Sequence, residues 1–188
     1  MTSIRNKPDA AVLDAVLECV LAVGVRRTTL TDVARRAGVS RMTLYRRWPD
    51  VNALVADLMT RELLAVAGDG LAGPDRAALV ARMVEVCERL RGHPLIRKIV
   101  DVDPELLLPY VLWRRGRSTD AFLEQLVEAV AAAQAGGAVR AGDPAVLGRF
   151  LLLTGQSYVL SAAAVAGDTA PEQLTAELRE LLDRYLRP

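Results

Sequence analysis

From Pro8 to the end of the chain, apolar side chains return every three or four positions, and nowhere do alternating β-branched residues run between turn signals. A period of 3.6 lines such residues along one stripe of a helix, whereas a half-buried strand needs a period of two. The pattern restricts the chain to an all-α fold. Glycine, proline and capping residues then divide it. A first helix is expected over about 8–23, where Leu13, Val16, Leu17, Val20 and Leu21 share a stripe and Gly24 ends it. Thr29 opens a short second helix with Leu30, Val33, Ala34 and Ala37 inside, and Asp32 stands where a capping box answers the Thr29 hydroxyl. Gly38 interrupts, Ser40 caps a third helix reaching about Trp48, and Pro49-Asp50 opens a fourth that runs to about Ala67.

Past a Gly/Pro-rich break at 68–74, helices are expected over about 75–90, 94–100, 104–114 and 118–134. Gly136-Gly137 through Gly142 forms another break. Asp143-Pro144 and Thr169-Ala170-Pro171-Glu172 are cap-and-proline openings for the last two helices, the final one striped by Leu174, Leu178, Leu181, Leu182 and Tyr185. The uncharged stretch 150–167, 18 residues long, approaches the roughly 20 that span a bilayer. It contains Thr154, Gly155, Gln156, Ser157, Tyr158 and Ser161 and has no companion span, so it is expected to lie buried against protein, with no membrane partner. Asp14 and Glu18 break the apolar stretch that follows the basic N-terminus, which argues against a secretory leader and for a cytoplasmic protein. Cys19 and Cys87 each fall inside a helical pattern and read as reduced core residues, with neither disulfide nor metal-ligand spacing.

Charge is divided unevenly. The chain's 24 Lys+Arg and 23 Asp+Glu give a net charge of +1, yet residues 1–50 hold nine basic residues against five acids. A basic head on a mildly acidic body is the asymmetry expected when one end meets a polyanion. Within that head, residues 30–48 have the layout of a helix-turn-helix. Ala34 is small where two helices cross, Gly38 suits the left-handed turn, and Val33, Ala37, Val39 and Leu44 supply a shared core. The outward positions of the third helix are then Arg41, Met42, Thr43, Tyr45, Arg46 and Arg47, among which there are three arginines and no acid. A helix fits the DNA major groove, with the residues at its start reaching deepest. Arg41, Met42 and Thr43 are accordingly candidates for base contact, and Tyr45, Arg46 and Arg47 for backbone contact. A merely solvated face leaves the glycine turn, the capped helix and the missing acids unexplained; for Arg26-Arg27 and Arg35-Arg36 that reading stays open.

The stretch Gly24-Val25-Arg26-Arg27-Thr28-Thr29-Leu30-Thr31-Asp32-Val33-Ala34-Arg35-Arg36-Ala37-Gly38-Val39-Ser40-Arg41-Met42-Thr43-Leu44-Tyr45-Arg46-Arg47-Trp48 resembles the DNA-binding region of the tetracycline-repressor-like (TetR) family of bacterial transcriptional regulators. Thr-Thr before the second helix, Ala-Gly-Val-Ser at the turn, and Leu-Tyr followed by an aromatic three positions after the Tyr carry the likeness, which covers about the first 60 residues. It implies a homodimer whose three-helix heads read a palindromic double-stranded DNA operator and whose C-terminal helical domain binds a small-molecule inducer. By the same likeness Thr31 and the Arg41-Met42-Thr43 run approach bases, while Thr29 and Tyr45 meet phosphates. One departure is Val51 where the family usually has a phosphate-binding Lys; another is Trp48 in place of the common Phe. The expected division is a helix-turn-helix domain over 1–52 and a helical ligand-binding and dimerisation domain over 53–188, the fourth helix (about 50–67) connecting them.

The body shows no catalytic constellation and implies no cofactor or metal. His93 lies between Gly92 and Pro94 without a nucleophile at a recognisable spacing and reads as a surface-loop residue; Asp101, Asp103 and Glu105 read as solvated loop acids. Candidates for a ligand pocket are Met83, Tyr110, Trp113, Phe122, Gln156 and Tyr158. Gly148, Gly155 and Ala162 recur every seven residues with Leu152 and Val159 between them, a strip along which a second chain's helix is expected to pack, together with Leu178 and Leu182 of the last helix. The rivals are a helical small-molecule carrier with an incidental basic head, and a catalytic bundle using the acids at 101–105.

Overall fold

The computed structural model describes residues 7–68, 71, 75–113 and 115–188. Residues 1–6, 69–70, 72–74 and 114 lie outside it, and with them the start of the chain and most of the break expected at 68–74. Among the described residues there are ten α-helices, one 3₁₀ turn and no strand, as the periodicity requires. The helices are α1 (Lys7–Val23), α2 (Leu30–Ala37), α3 (Arg41–Arg47), α4 (Val51–Ala67), α5 (Arg76–Arg91), α6 (Pro94–Val102), α7 (Leu108–Leu112), α8 (Arg117–Ala135), α9 (Pro144–Val165) and α10 (Pro171–Leu186). The single helix expected over 104–114 is instead a 3₁₀ turn, Pro104–Leu106, followed by the five-residue α7. Pro109 is the reason: it lacks an N–H and its ring excludes an α-helical carbonyl four residues earlier, so it sits in the first turn of a new helix.

The chain forms two compact units, one built from residues 1–63 and 93–116, the other from 64–92 and 117–188. A boundary drawn at residue 52 does not anticipate the return of α6 and α7 to the first unit. Its core gathers Val16 and Val20 of α1, Leu30 and Val33 of α2, Leu44 of α3, and Leu54 and Leu58 of α4, and Leu95 and Ile99 of α6 join the same cluster. One of the expected surface residues belongs to this unit's interior. Asp103, which closes α6, is 1% exposed and accepts the Val25 backbone N–H at 2.7 Å. Its neighbour Glu105 pairs with Arg26 at 2.6 Å, while Asp101 is exposed as anticipated. His93 is half-buried, with Nε2 3.3 Å from a Glu62 carboxylate oxygen.

In the second unit, α8 packs on α9, and α5 on both α9 and α10. Leu79, Val80, Met83, Leu126, Val130, Leu147, Leu151, Leu182 and Leu186 fill the core between them. Here the small-residue strip of α9 is taken up inside the chain. A Cβ on Gly148 would meet Val127 of α8 at 2.9 Å, and one on Gly155 would meet the Cys87 sulfur of α5 at 3.2 Å. Ala162, Leu178 and Leu182 are 7, 5 and 2% exposed, and Leu152 and Val159 are half-buried on the same core. Recurring small residues report that some helix approaches closely; in this fold it is the chain's own α5 and α8. The outward side of α9 and α10 carries Val146, Phe150, Leu153 and Leu181, all exposed. No helix among the described residues is long and apolar enough to cross a membrane.

Candidate nucleic-acid interface

The second and third helices are shaped by local rules. Thr29 caps α2: its hydroxyl accepts the Asp32 N–H at 3.1 Å and donates to the Asp32 carboxylate at 2.6 Å. The carboxylate therefore answers the Thr29 hydroxyl, where a capping box would have it reach the backbone. That hydrogen bond, with Arg35 and Arg36 nearby, holds the Asp32 carboxyl below its usual range. Gly38 ends α2 at φ +67°, ψ 26°, the left-handed conformation that a side chain disfavours. Nothing lies within 4 Å of a Cβ placed there, so the turn asks for glycine through backbone conformation alone. Ser40 then caps α3, its hydroxyl accepting the Thr43 N–H at 3.1 Å and lying 2.8 Å from the Thr43 hydroxyl.

Two anchors fix which way α3 faces. Leu44 is fully buried in the core shared with α1, α2 and α4. Trp48 is 4% exposed, and its indole N–H donates to Asp57 of α4 at 2.8 Å, so the Trp serves as the anchor expected of an aromatic at that position. With those two turned inward, Arg41, Met42, Thr43, Tyr45, Arg46 and Arg47 are all exposed. Met42 is the extreme, at 76%. Thr29 is exposed as well, and Thr31 half-buried. All eight residues expected at DNA lie on α2, α3 or the cap between α1 and α2.

The arginines differ in what holds them. Arg47 pairs with Asp9 of α1 and lies over the Trp48 ring, 4.9 Å from its centre. Arg36 pairs with Glu18 at 2.6 Å, a bond that raises its already high pKa, and Arg35 lies 3.4 Å from Asp32. Arg26 is engaged by Glu105, and Arg27 donates to the Val23 carbonyl at 2.9 Å. Arg41 and Arg46 carry no hydrogen bond or ion pair among the described residues, which leaves two uncommitted guanidinium groups on the outward face of α3. A guanidinium is a forked donor suited to phosphate or to the guanine O6/N7 edge. Val51, where a Lys was expected, opens α4 without a cation, and the Asp50 carboxylate accepts the Ala53 N–H at 2.7 Å.

The ligand candidates do not gather in one place. Tyr110 and Trp113 belong to the first unit and are 40 and 78% exposed. Met83, Phe122, Gln156 and Tyr158 belong to the second, where Met83 is 2% exposed in the core. The Tyr158 hydroxyl is occupied by Glu88 and, at 2.8 Å, by Thr175, and Glu88 also pairs with Arg91 at 2.7 Å. Gln156 is half-buried and its amide has no partner among the described residues. Sequence reasoning missed Asp9, Glu105 and Asp103 as residues that hold the head, since pairs of residues 78 apart, such as Val25 and Asp103, leave no local signal. No group of three or more His, Cys, Asp or Glu among the described residues is arranged to hold a metal.

A compact three-helix head that buries Leu44 and Trp48 and turns a basic, acid-free helix face outward defines a helix-turn-helix DNA-binding protein. Comparison with known proteins gives the family. Residues 12–58 match the family model described as "Bacterial regulatory proteins, tetR family". An uncharacterised HTH-type transcriptional regulator of Mycobacterium bovis, Mb2274c, is 40% identical over 187 residues, covering 99% of this chain and 98% of its own length. Among solved structures, the TetR family repressor AlkX from Dietzia superposes with a TM-score of 0.68 at 24% identity, over 95% of both chains. SmeT, solved as a triclosan complex, does so with a TM-score of 0.60 at 21% identity, over 96% of this chain and 92% of its own. This chain belongs to the tetR family of bacterial regulatory proteins and is a DNA-binding transcriptional regulator.

Proposed function

We propose that the protein is a ligand-responsive repressor that binds a palindromic operator as a homodimer in the cytoplasm and catalyses no reaction. The observation that carries the reading is the outward face of α3. Arg41, Met42, Thr43, Tyr45 and Arg46 are exposed together on a helix that two buried anchors hold in place. Arg41, Met42 and Thr43 would meet base edges, with Thr31 beside them. Thr29, Tyr45 and Arg46 would meet phosphates. Arg47 would reach phosphate only by leaving Asp9, an exchange of a half-buried carboxylate partner for another anion.

Two copies would pair through the outward side of α9 and α10. Val146, Phe150, Leu153 and Leu181 are apolar and exposed there, and the Phe150 ring lies 4.6 Å from that of Tyr185. A two-fold pairing of this surface buries those side chains and gives the closed symmetry that a palindrome requires. The small strip Gly148, Gly155 and Ala162 would support the interface from behind by letting α5 and α8 approach α9. An inducer would be held by the second unit, where the Gln156 amide, without a partner among the described residues, and the apolar Met83 and Phe122 offer polar and apolar contacts. SmeT, similar in fold, binds triclosan. Release of DNA follows if inducer favours a dimer whose two α3 helices no longer lie about 34–36 Å apart.

The test is selection of bound duplexes from a randomised pool with the full chain. A recovered palindrome with half-sites one helical turn apart is the expected result. Recovery of no preferred sequence would end the operator-binding reading and leave a helical carrier in its place.

A further inference from the structure

The side chains that begin α3 divide by hydrogen-bonding capacity. Arg41 has free donors. Thr43 has its N–H and its hydroxyl both engaged by the Ser40 hydroxyl, at 3.1 and 2.8 Å. Met42 has no donor and only a weak sulfur acceptor, and it is 76% exposed; Leu44 and Trp48 of the same segment are 0 and 4% exposed, and Tyr45, 52% exposed, carries a hydroxyl that Met42 lacks. An apolar side chain of that size held outward between an arginine and an occupied threonine has no use for hydrogen-bonded base readout. One apolar group stands on the major-groove edge of DNA, the C5 methyl of thymine, and it distinguishes the A·T pair from G·C.

We propose that Met42 is a specificity-determining residue that reads thymine through its C5 methyl, beside a base read by Arg41. The inference rests on the DNA-binding reading above and adds the chemical class of the base. The flexible thioether, with three rotatable bonds, settles against the methyl and removes it from water. Burying one such group is worth a factor of about four in affinity, so a dimer that uses it in both half-sites gains roughly 15-fold. Arg41 supplies the directional contact and Met42 the apolar one, while Thr43 packs against Ser40 at the helix cap and keeps a hydroxyl lone pair and its methyl turned to the same groove.

The experiment uses the full-length protein and duplexes selected from a randomised pool, first with the native chain and then with Met42→Ala and Met42→Gln. The native chain selects thymine at one position in each half-site. Replacing that thymine by deoxyuridine in both half-sites weakens its binding roughly 15-fold. Met42→Ala loses the thymine preference, binds the thymine and deoxyuridine duplexes alike, and keeps the native melting temperature because the side chain is exposed. Met42→Gln shifts the preference toward adenine on the same strand. Equal binding of the two duplexes by the native chain, or an unchanged thymine preference in Met42→Ala, overturns the inference while leaving a selected palindrome, and with it the regulator reading, in place. Failure to select any sequence removes both.

Discussion

The Asp103 carboxylate accepts the backbone N–H of Val25 at 2.7 Å, across 78 residues of sequence. Both groups are buried, and the hydrogen bond joins the end of α6 to the turn from which α2 departs. Around it the turn is tightly specified: Thr28 donates its hydroxyl to the Gly24 carbonyl at 2.7 Å, and Arg26 reaches Glu105 at 2.6 Å. Removing the acceptor strands a buried N–H, which costs about 1–3 kcal/mol. Asp103→Ala should therefore lower the stability of the first unit by that amount and weaken DNA binding, although residue 103 lies far from α3 in sequence. Asp103→Asn keeps an oxygen acceptor and should be less damaging. Chemical denaturation of each variant, followed by duplex binding, checks both statements.

Gly24 and Gly38 provide an internal comparison. Both have positive φ, +84° and +67°, and a side chain in that region costs about 1–2 kcal/mol. At Gly38 nothing lies within 4 Å of an added Cβ, whereas at Gly24 the added carbon would stand 2.7 Å from the buried Asp103 carboxylate oxygen. Gly24→Ala should destabilise by more than Gly38→Ala, and Asp103→Ala should relieve part of the excess, a coupling read from a double-mutant cycle.

Much of this head was legible in the sequence, for a physical reason. Caps and glycine turns are local: Thr29, Ser40, Asp75 and Asp143 each sit two or three residues before the N–H they accept, so the start of each helix is written beside it. Burial of Leu44 followed from helical period, and the outward set on α3 followed from Leu44. What escaped is non-local. Nothing beside Asp103 announces Val25, and nothing beside Arg47 announces Asp9. The strip at Gly148 and Gly155 shows the same limit. Its spacing reveals a close helix approach but not which helix, and the partners are Val127 and Cys87 of the same chain.

Burial pushes the Cys87 thiol up to about 12, with the neighbouring Glu88 charge adding to the effect. The thiolate is the reactive form, so this side chain is inert at neutral pH. Cys19 is buried as well. Native protein at pH 8 should resist a water-soluble thiol reagent over a period in which denatured protein reacts at both cysteines. Rapid labelling of Cys87 in the native state would contradict the packing of α5 against Gly155.

Acid should weaken the fold. Burial works to raise the Glu88 carboxyl, but hydrogen bonds from Arg91, Tyr158 and Thr175 overcome it and hold the group below its ordinary range; Arg76 and Arg187 do the same for Asp183. A carboxyl depressed in the folded state adds stability above its unfolded pKa, near 4, and that contribution disappears as pH falls through the folded value. Melting temperatures measured from pH 7 to pH 3 should be flat at first and then drop below about pH 4. Glu88→Gln should shrink the drop, since one of the depressed groups is gone.

If the outward face of α3 meets DNA, Arg41 and Arg46, the two guanidinium groups left uncommitted there among the described residues, give the most direct access to that contact. Affinity of the native chain for a selected duplex should fall steeply with salt. In the Arg41→Ala, Arg46→Ala double variant it should be at least tenfold weaker, with a salt slope shallower by about 0.9 for each phosphate that an arginine no longer neutralises. Melting temperature and oligomeric state should stay as they were, because neither side chain is hydrogen-bonded or ion-paired to the rest of the described chain. Unchanged affinity and an unchanged slope in that variant would show that DNA does not meet this face of α3.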